Sequence, residues 1–157
     1  MKKIPLTQGL FALVDDGDFE YLSQWKWLAR KEKNTYYAQR GVRKNGKLTV
    51  VHMHRLILRA EDGFDVDHRN GNGLDNQKFN LRKATRSQNK MNLQNLNSNN
   101  TSGVTGVSWF KITQKWRAQI TLNKKAKTIG YFDDKADAIK ARRDAEKKYF
   151  GDFSPEH

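Results

Sequence analysis

The sequence predicts an α+β chain, and three observations carry that reading. Short runs rich in aromatic and β-branched residues alternate with turn-forming pairs, as antiparallel strands do. Near the end, Ala138, Ala141, Ala145 and Tyr149 recur at close to the 3.6-residue helical period. No internal repeat or long apolar block competes with either pattern. With 157 residues, 36% of them hydrophobic and 11% aromatic, the chain has material for one ordinary domain or two small ones. It is too apolar for simple disorder.

Residues 4–51 alternate apolar runs with turn signals at Asp16, Gly17 and Asp18, at Lys33 and Asn34, and at Asn45 and Gly46. A short helix is expected over 19–28, after Asp18, and a hairpin over 35–53 closed by Asn45 and Gly46. Residues 54–60, with Leu56, Ile57 and Leu58 in a row, read as a short buried helix. The stretch 64–81 is dominated by Gly, Asn and Asp, so its backbone must turn tightly. A strand carrying Val66 to His68, a loop through Gly71 and Gly73, and a return through Phe79, Asn80 and Leu81 fit it best. Thr85 followed three positions later by Gln88 matches a capping box and marks a helix start near 85, which sets Asn89 in its first turns. Five Asn in residues 92–100 favour irregular backbone, read as an interdomain linker over 93–103. Three strand-like runs follow, 104–112, 115–122 and 127–132, with turns at Thr113 and Gln114 and at Asn123 and Lys124. They predict a three-stranded antiparallel sheet packed on the alanine-spaced helix, which Asp133 and Asp134 can cap and Gly151 ends. The expected divisions are a basic β-rich module over 1–50, a centre over 51–92, the linker, and a last domain over 104–157.

Composition narrows function. No stretch is apolar enough to span a membrane, and the start of the chain lacks the continuous apolar core of a secretory signal, so a cytoplasmic protein is expected. Zero cysteines exclude disulfides, thiol catalysis and every cysteine-based zinc site. A formal net charge of +13 favours a polyanionic partner, nucleic acid first. The charge is uneven: residues 1–60 carry +7, 61–100 only +1, and 101–157 carry +5. Residues 61–75 hold five acids and one base, Arg69, inside a polycation. Such a cluster is either a solvated turn balancing its neighbours or a site for a hard cation.

Within that acidic segment stand Asp67 and His68, with Asn80 twelve residues after His68 and Asn89 nine further on. An acid, an imidazole and two carboxamides on strand, loop and helix can converge on one point if the hairpin packs on the helix. Taken singly, the Asp and Asn residues read equally well as turn and helix caps. As a set, VDHRNGNGLDNQKFNLRKATRSQNKMN resembles the core of the HNH (ββα-metal) nucleases, in the variant that ends in Asn rather than His. That resemblance covers 50–152 when the last domain is included, and is looser over 1–49. It implies Asp67 and Asn89 as ligands of one divalent cation, Mg²⁺ or Mn²⁺, His68 as general base, and Asn80 as the residue that orients the imidazole. His52 and His54 are expected to pack or to touch phosphate, and Asp65 and Asp75 to be turn residues.

Residues 102–152 resemble the AP2/ERF DNA-binding domain, on 102–107, 116–120, 129–132 and the alanine-rich helix that ends at Gly151. In that family the sheet lies in the major groove. Carried over by position, Thr105, Ser108, Phe110, Gln119, Thr121 and Thr128 face the bases, and Lys111, Lys115, Arg117 and Lys127 the phosphates. Of Trp109 and Trp116, one stacks on DNA and the other fills the sheet core. Arg40, Arg43 and Arg55 extend the basic surface before the centre. Together the resemblances imply a phage-type homing endonuclease, located in the bacterial host cytoplasm. It would act as a monomer on double-stranded DNA with a long asymmetric site, nicking it. Two competing readings are a transcription regulator of AP2 type without chemistry, which would bind DNA regardless of chelator, and a ribosome-associated RNA-binding protein.

Overall fold

The computed structural model describes residues 1–32, 35–92, 96 and 100–155. These form small antiparallel sheets and short helices, an α+β arrangement, and separate into two units, Met1–Asn89 and Lys90–Pro155. The expected turn at Lys33 and Asn34, and most of the expected linker over 93–103, lie outside the described residues. The linker's described end is ordered: Asn100 Oδ1 accepts from the Gly103 amide at 2.7 Å and Ser102 is buried, so 100–104 is a tight turn of the second unit.

In the first unit, β1 (Lys2–Pro5) pairs with β2 (Phe11–Val14), and α1 (Asp16–Ser23) follows. The helix starts earlier and stops sooner than 19–28. Asp16 and Asp18 sit in its first turn, where carboxylates favour the helix dipole. Its end is set by tertiary packing, because Trp27 is buried and its Nε1 donates to Leu22 O at 2.8 Å, closing the last turn. The chain then enters β3 (Leu28–Glu32), β4 (Thr35–Lys44) and β5 (Lys47–His52), a three-stranded sheet in the order β3-β4-β5. Asn45 and Gly46, both at positive φ, make the tight turn that these two residue types tolerate best.

Next comes α2 (Met53–Leu58), terminated by Arg59 in the left-handed conformation. Ile4, Ala12, Val14, Leu22, Trp27, Ala38 and Met53 form one buried cluster, with Leu56 and Ile57 packed against it. This cluster draws on both sides of residue 50, and β5 spans that residue. The remaining elements are β6 (Asp65–His68), β7 (Leu81–Ala84) and α3 (Arg86–Met91). The return strand thus begins at Leu81. Phe79 and Asn80 belong to the turn before it, where Asn80 N donates to Gln77 O at 2.9 Å.

The second unit holds β8 (Val107–Phe110), β9 (Lys115–Leu122) and β10 (Lys125–Phe132) in the order β10-β9-β8, followed by α4 (Lys135–Phe150). Val107, Ala118 and Ala138 make one core cluster; Ile120, Ala145 and Phe150 make another. The sheet-on-one-helix arrangement matches the expectation in kind, with three local differences. The first strand is shorter, leaving Thr105 in the turn before it and Lys111 after it. Asp134 occupies the N-cap without a side-chain cap bond, and Tyr149 is exposed while Phe150 is buried. Gly106 cannot carry a side chain: its φ is +78°, and a Cβ would run into Gln119 O. Among the described residues, no helix is long and apolar enough to cross a membrane.

Candidate functional site

The β6–β7 hairpin and α3 hold the residues singled out in the sequence. Register sets Asp67 opposite Arg82, Asp65 opposite Ala84 and His68 opposite Leu81. Ala84 leads directly into the capping box: Thr85 N donates to Gln88 Oε1 at 2.9 Å, and Gln88 N donates back to Thr85 Oγ1 at 3.3 Å. Six residues are too few to hold a helix unaided, so these reciprocal bonds carry much of what fixes Asn89 in place. Asn89 Nδ2 in turn donates to Asp65 Oδ2 at 3.3 Å. Asp65, expected as a turn residue, is therefore a strand residue facing the helix.

Asp67 is buried, and its Oδ2 meets both Nε and Nη2 of Arg82 at 2.6 Å. His68 is buried too, its ring 5.1 Å from that of His54 and 5.7 Å from that of Tyr37. Burial pushes its pKa below the ordinary imidazole value, against the opposing pull of a hydrogen bond with Asn76 and of the Asp67 and Asp75 carboxylates. His54, edge-on to His68 and stacked on His52, is packed as expected, its pKa pushed down to about 2 by burial first and by the nearby His68, His52 and Arg55 next. A cleft of about 260 Å³ opens here, lined by Glu32, His52, His54, Arg55, Asp65 and Asn89 among others.

Asn80 is wholly buried, but its side-chain bonds run along the loop. Nδ2 donates to Asp75 O at 2.8 Å, and Oδ1 accepts from the Asn70 amide at 3.1 Å. The carboxamide that acts on the imidazole is that of Asn76, which pulls its pKa upward while its own Nδ2 donates to Leu74 O at 3.1 Å. Sequence reasoning missed it because the loop carries Asn at 70, 72, 76 and 80, and nothing in composition separates them. Asp75 is buried, accepting from Asn70 Nδ2 at 2.9 Å, a loop role as expected.

The first sheet and α1 position this loop. Leu13 N donates to Leu74 O and Asn76 N to Leu13 O, both at 2.8 Å, so β2 grips the loop from one side. Gly73 lies on β4, its amide bonded to Thr35 Oγ1 at 3.0 Å, and Lys78 N reaches Asp15 Oδ2 at 2.9 Å. Of the early basic residues, Arg55 turns inward. Its guanidinium donates to the carbonyls of Ala60, Glu61 and Phe64 and so ties the turn after α2. Arg40 stacks over Trp25 at 4.1 Å, and Arg43 is exposed on the hairpin.

In the second unit, Ala118 and Ile120 point at the helix side, so strand alternation turns Lys115, Arg117, Gln119 and Thr121 to the other face. Register adds Ser108 opposite Arg117, Phe110 opposite Lys115 and Thr128 opposite Gln119. Most of the expected reading residues thus share one face. Trp109 and Trp116 pair with each other, 5.4 Å between rings, with Trp116 packed toward the core and Trp109 exposed. Lys127 leaves the set: it faces the helix side and its Nζ donates to Tyr149 OH at 3.1 Å. A residue not foreseen joins it. Tyr131 pairs with Arg117, lies 5.5 Å from the Phe110 ring, and reaches this face because a bulge between Thr128 and Gly130 shifts the alternation by one.

Residues 51–91 match the HNH endonuclease family. That span covers α2, the β6–β7 hairpin, its loop and α3. The chain is also 40% identical over 59 residues to "Protein 3.8" of Escherichia phage T7, a stretch that is 38% of this chain and 48% of that one. The chain therefore spans about half the length of this curated relative. No solved structure matches. The matched span contains Asp67, His68, Asn76, Asn80 and Asn89. Nucleases of this family generally use a divalent metal ion. Among the described residues, no three His, Asp or Glu side chains gather closely enough to hold a metal by themselves.

Proposed function

We propose that the protein is a site-specific DNA endonuclease of homing type that hydrolyses phosphodiester bonds in double-stranded DNA, nicking one strand per event. The observation that carries this reading is the HNH match over 51–91, centred on a buried imidazole beside a carboxylate. The donor chemistry suits one Mg²⁺ or Mn²⁺. Such ions keep most positions for water and substrate phosphate, so two hard oxygen donors from the chain are enough. Asp67 supplies a carboxylate oxygen and Asn89 a carboxamide oxygen, and the adjoining cleft has room for water and a phosphate oxygen. When bound, the cation supplies Lewis-acid stabilisation of charge developing on the phosphate.

The chain's own residues do the rest. His68, kept neutral near pH 7 by burial, takes a proton from the attacking water on an imidazole nitrogen. His54 and Tyr37 hold the ring by packing, and Asn76 restrains its rotation. Asn80 acts at one remove, closing the loop so that Asn76 stays beside His68. In the second unit, Ser108, Phe110, Gln119, Thr121, Thr128 and Tyr131 form a reading face of AP2 type, and Lys115 and Arg117 contact phosphates. A nuclease and a reader on one chain recognise a long asymmetric site as a monomer.

Nicking of supercoiled plasmid bearing candidate sites, in Mg²⁺ or Mn²⁺ with and without EDTA, tests the chemistry. His68→Ala should cleave about 10²–10⁴-fold more slowly than the parent. Equal cleavage by the two proteins would remove His68 from the role of base.

A further inference from the structure

The amide of Asn89 can serve a cation through only one of its two ends. Its oxygen is a ligand; its nitrogen carries two hydrogens and has no lone pair to give. Which end faces the cleft is decided by what the other end meets, and here Nδ2 meets Asp65 Oδ2 at 3.3 Å. A carboxylate only accepts hydrogen bonds, so it cannot take the oxygen end of the amide. We infer that Asp65 is a positioning residue that locks the Asn89 carboxamide with its oxygen toward the cation. This rests on the reading of Asn89 as a cation ligand.

Two further observations support the assignment. Asp65 and Asn89 line the same cleft, so the bond between them lies at the mouth of the site. The distance between them is also built into the fold. Asp65 pairs with Ala84, Ala84 precedes the capping Thr85, and the Asn89 amide donates to Thr85 O at 2.9 Å, one turn on. Strand register therefore delivers the carboxylate to the foot of the helix turn that carries Asn89. The logic is that of a carboxylate behind a metal-bound histidine, which fixes the ring so that the correct nitrogen faces the ion.

The test uses the full chain and Mn²⁺ alone, with free Mn²⁺ followed by electron paramagnetic resonance and folding checked by circular dichroism. Asp65→Asn replaces the acceptor by a group that accommodates either end of the amide. It should weaken Mn²⁺ binding about 10–100-fold. In an Asn89→Asp background, residue 89 presents oxygen whichever way it turns, so adding Asp65→Asn should cost little or nothing. An unchanged affinity in Asp65→Asn alone would overturn the inference. So would an equal loss in both backgrounds, because Asp65 would then act as a ligand or by charge. The parent reading fails separately: if Asp67→Asn and Asn89→Ala both bind Mn²⁺ like the unaltered protein, the cation lies elsewhere.

Discussion

Packed edge-on to His68 and stacked on His52, the imidazole of His54 is held neutral to about pH 2, while in an unfolded chain it takes up a proton below about 6.5. Because the unfolded state binds the extra proton, stability is full above 6.5 and falls as pH drops from there toward 2. The slope owed to one such group is at most about 1.4 kcal/mol per pH unit. His52 and His68 shift in the same direction, also through burial, and add to it. His54→Phe keeps an aromatic ring against Tyr37 and His68 but removes the titration. Urea unfolding at pH 6.5, 5.5 and 4.5 should therefore give a shallower decline for the variant, by up to that slope. An identical decline would mean that His54 is protonated in the folded protein. The pair Asp67 and Arg82 shows the same principle with the opposite answer: a buried carboxylate is tolerated because a guanidinium meets it at 2.6 Å.

The loop between β6 and β7 is irregular by composition, yet it is fixed by regular elements on three sides: β2, β4 and α1. Gly73 marks the closest approach. A Cβ there would stand 2.5 Å from Tyr36 O and 2.6 Å from Tyr37 Cε1. Gly73→Ala should cost about 1–3 kcal/mol by overpacking. It should also slow cleavage, since the displaced Tyr37 is the packing wall of His68. A variant with parental stability and rate would show that the loop is free to lift off β4. At the other end of the site, Thr85→Ala removes the capping box and should cost about 1 kcal/mol. It should weaken Mn²⁺ binding through Asn89, an effect absent if α3 is held by packing alone. What could be seen in the sequence follows this division. The capping box and the Asn45 and Gly46 turn were legible because their chemistry is local. The end of α1, the inward turn of Arg55 and the choice of Asn76 over its neighbours depend on the burial of Trp27, on three carbonyls presented by the turn after α2 and on the place of His68, none of which residue type or periodicity announces. The same holds for Tyr131, which one bulge moves to the opposite face from the one simple alternation would give it.

Over the whole chain, a charge of +13 is interrupted by a near-neutral centre, and on the proposed function that division separates holding DNA from cutting it. If the second unit reads DNA through the face of β8, β9 and β10, binding and cleavage should respond differently to the same changes. Each phosphate neutralised by a cationic side chain contributes about −0.9 to the slope of log K against log salt. Arg117 lies 5.0 Å over the Phe110 ring, with Tyr131 as its cross-strand partner, and so is held on the outward face. Arg117→Ala should lower affinity for double-stranded DNA and reduce the slope by about one. Tyr131→Ala removes contact area but no charge, so it should weaken binding with the slope unchanged. Fluorescence anisotropy at several salt concentrations in EDTA measures both, because binding by this face needs no cation. The cleavage assay, by contrast, should be silent in EDTA for every variant. If Arg117→Ala leaves both affinity and slope as they were, this sheet face is not where the protein meets phosphate, and the basic residues of the first unit, Arg43 foremost, become the place to look.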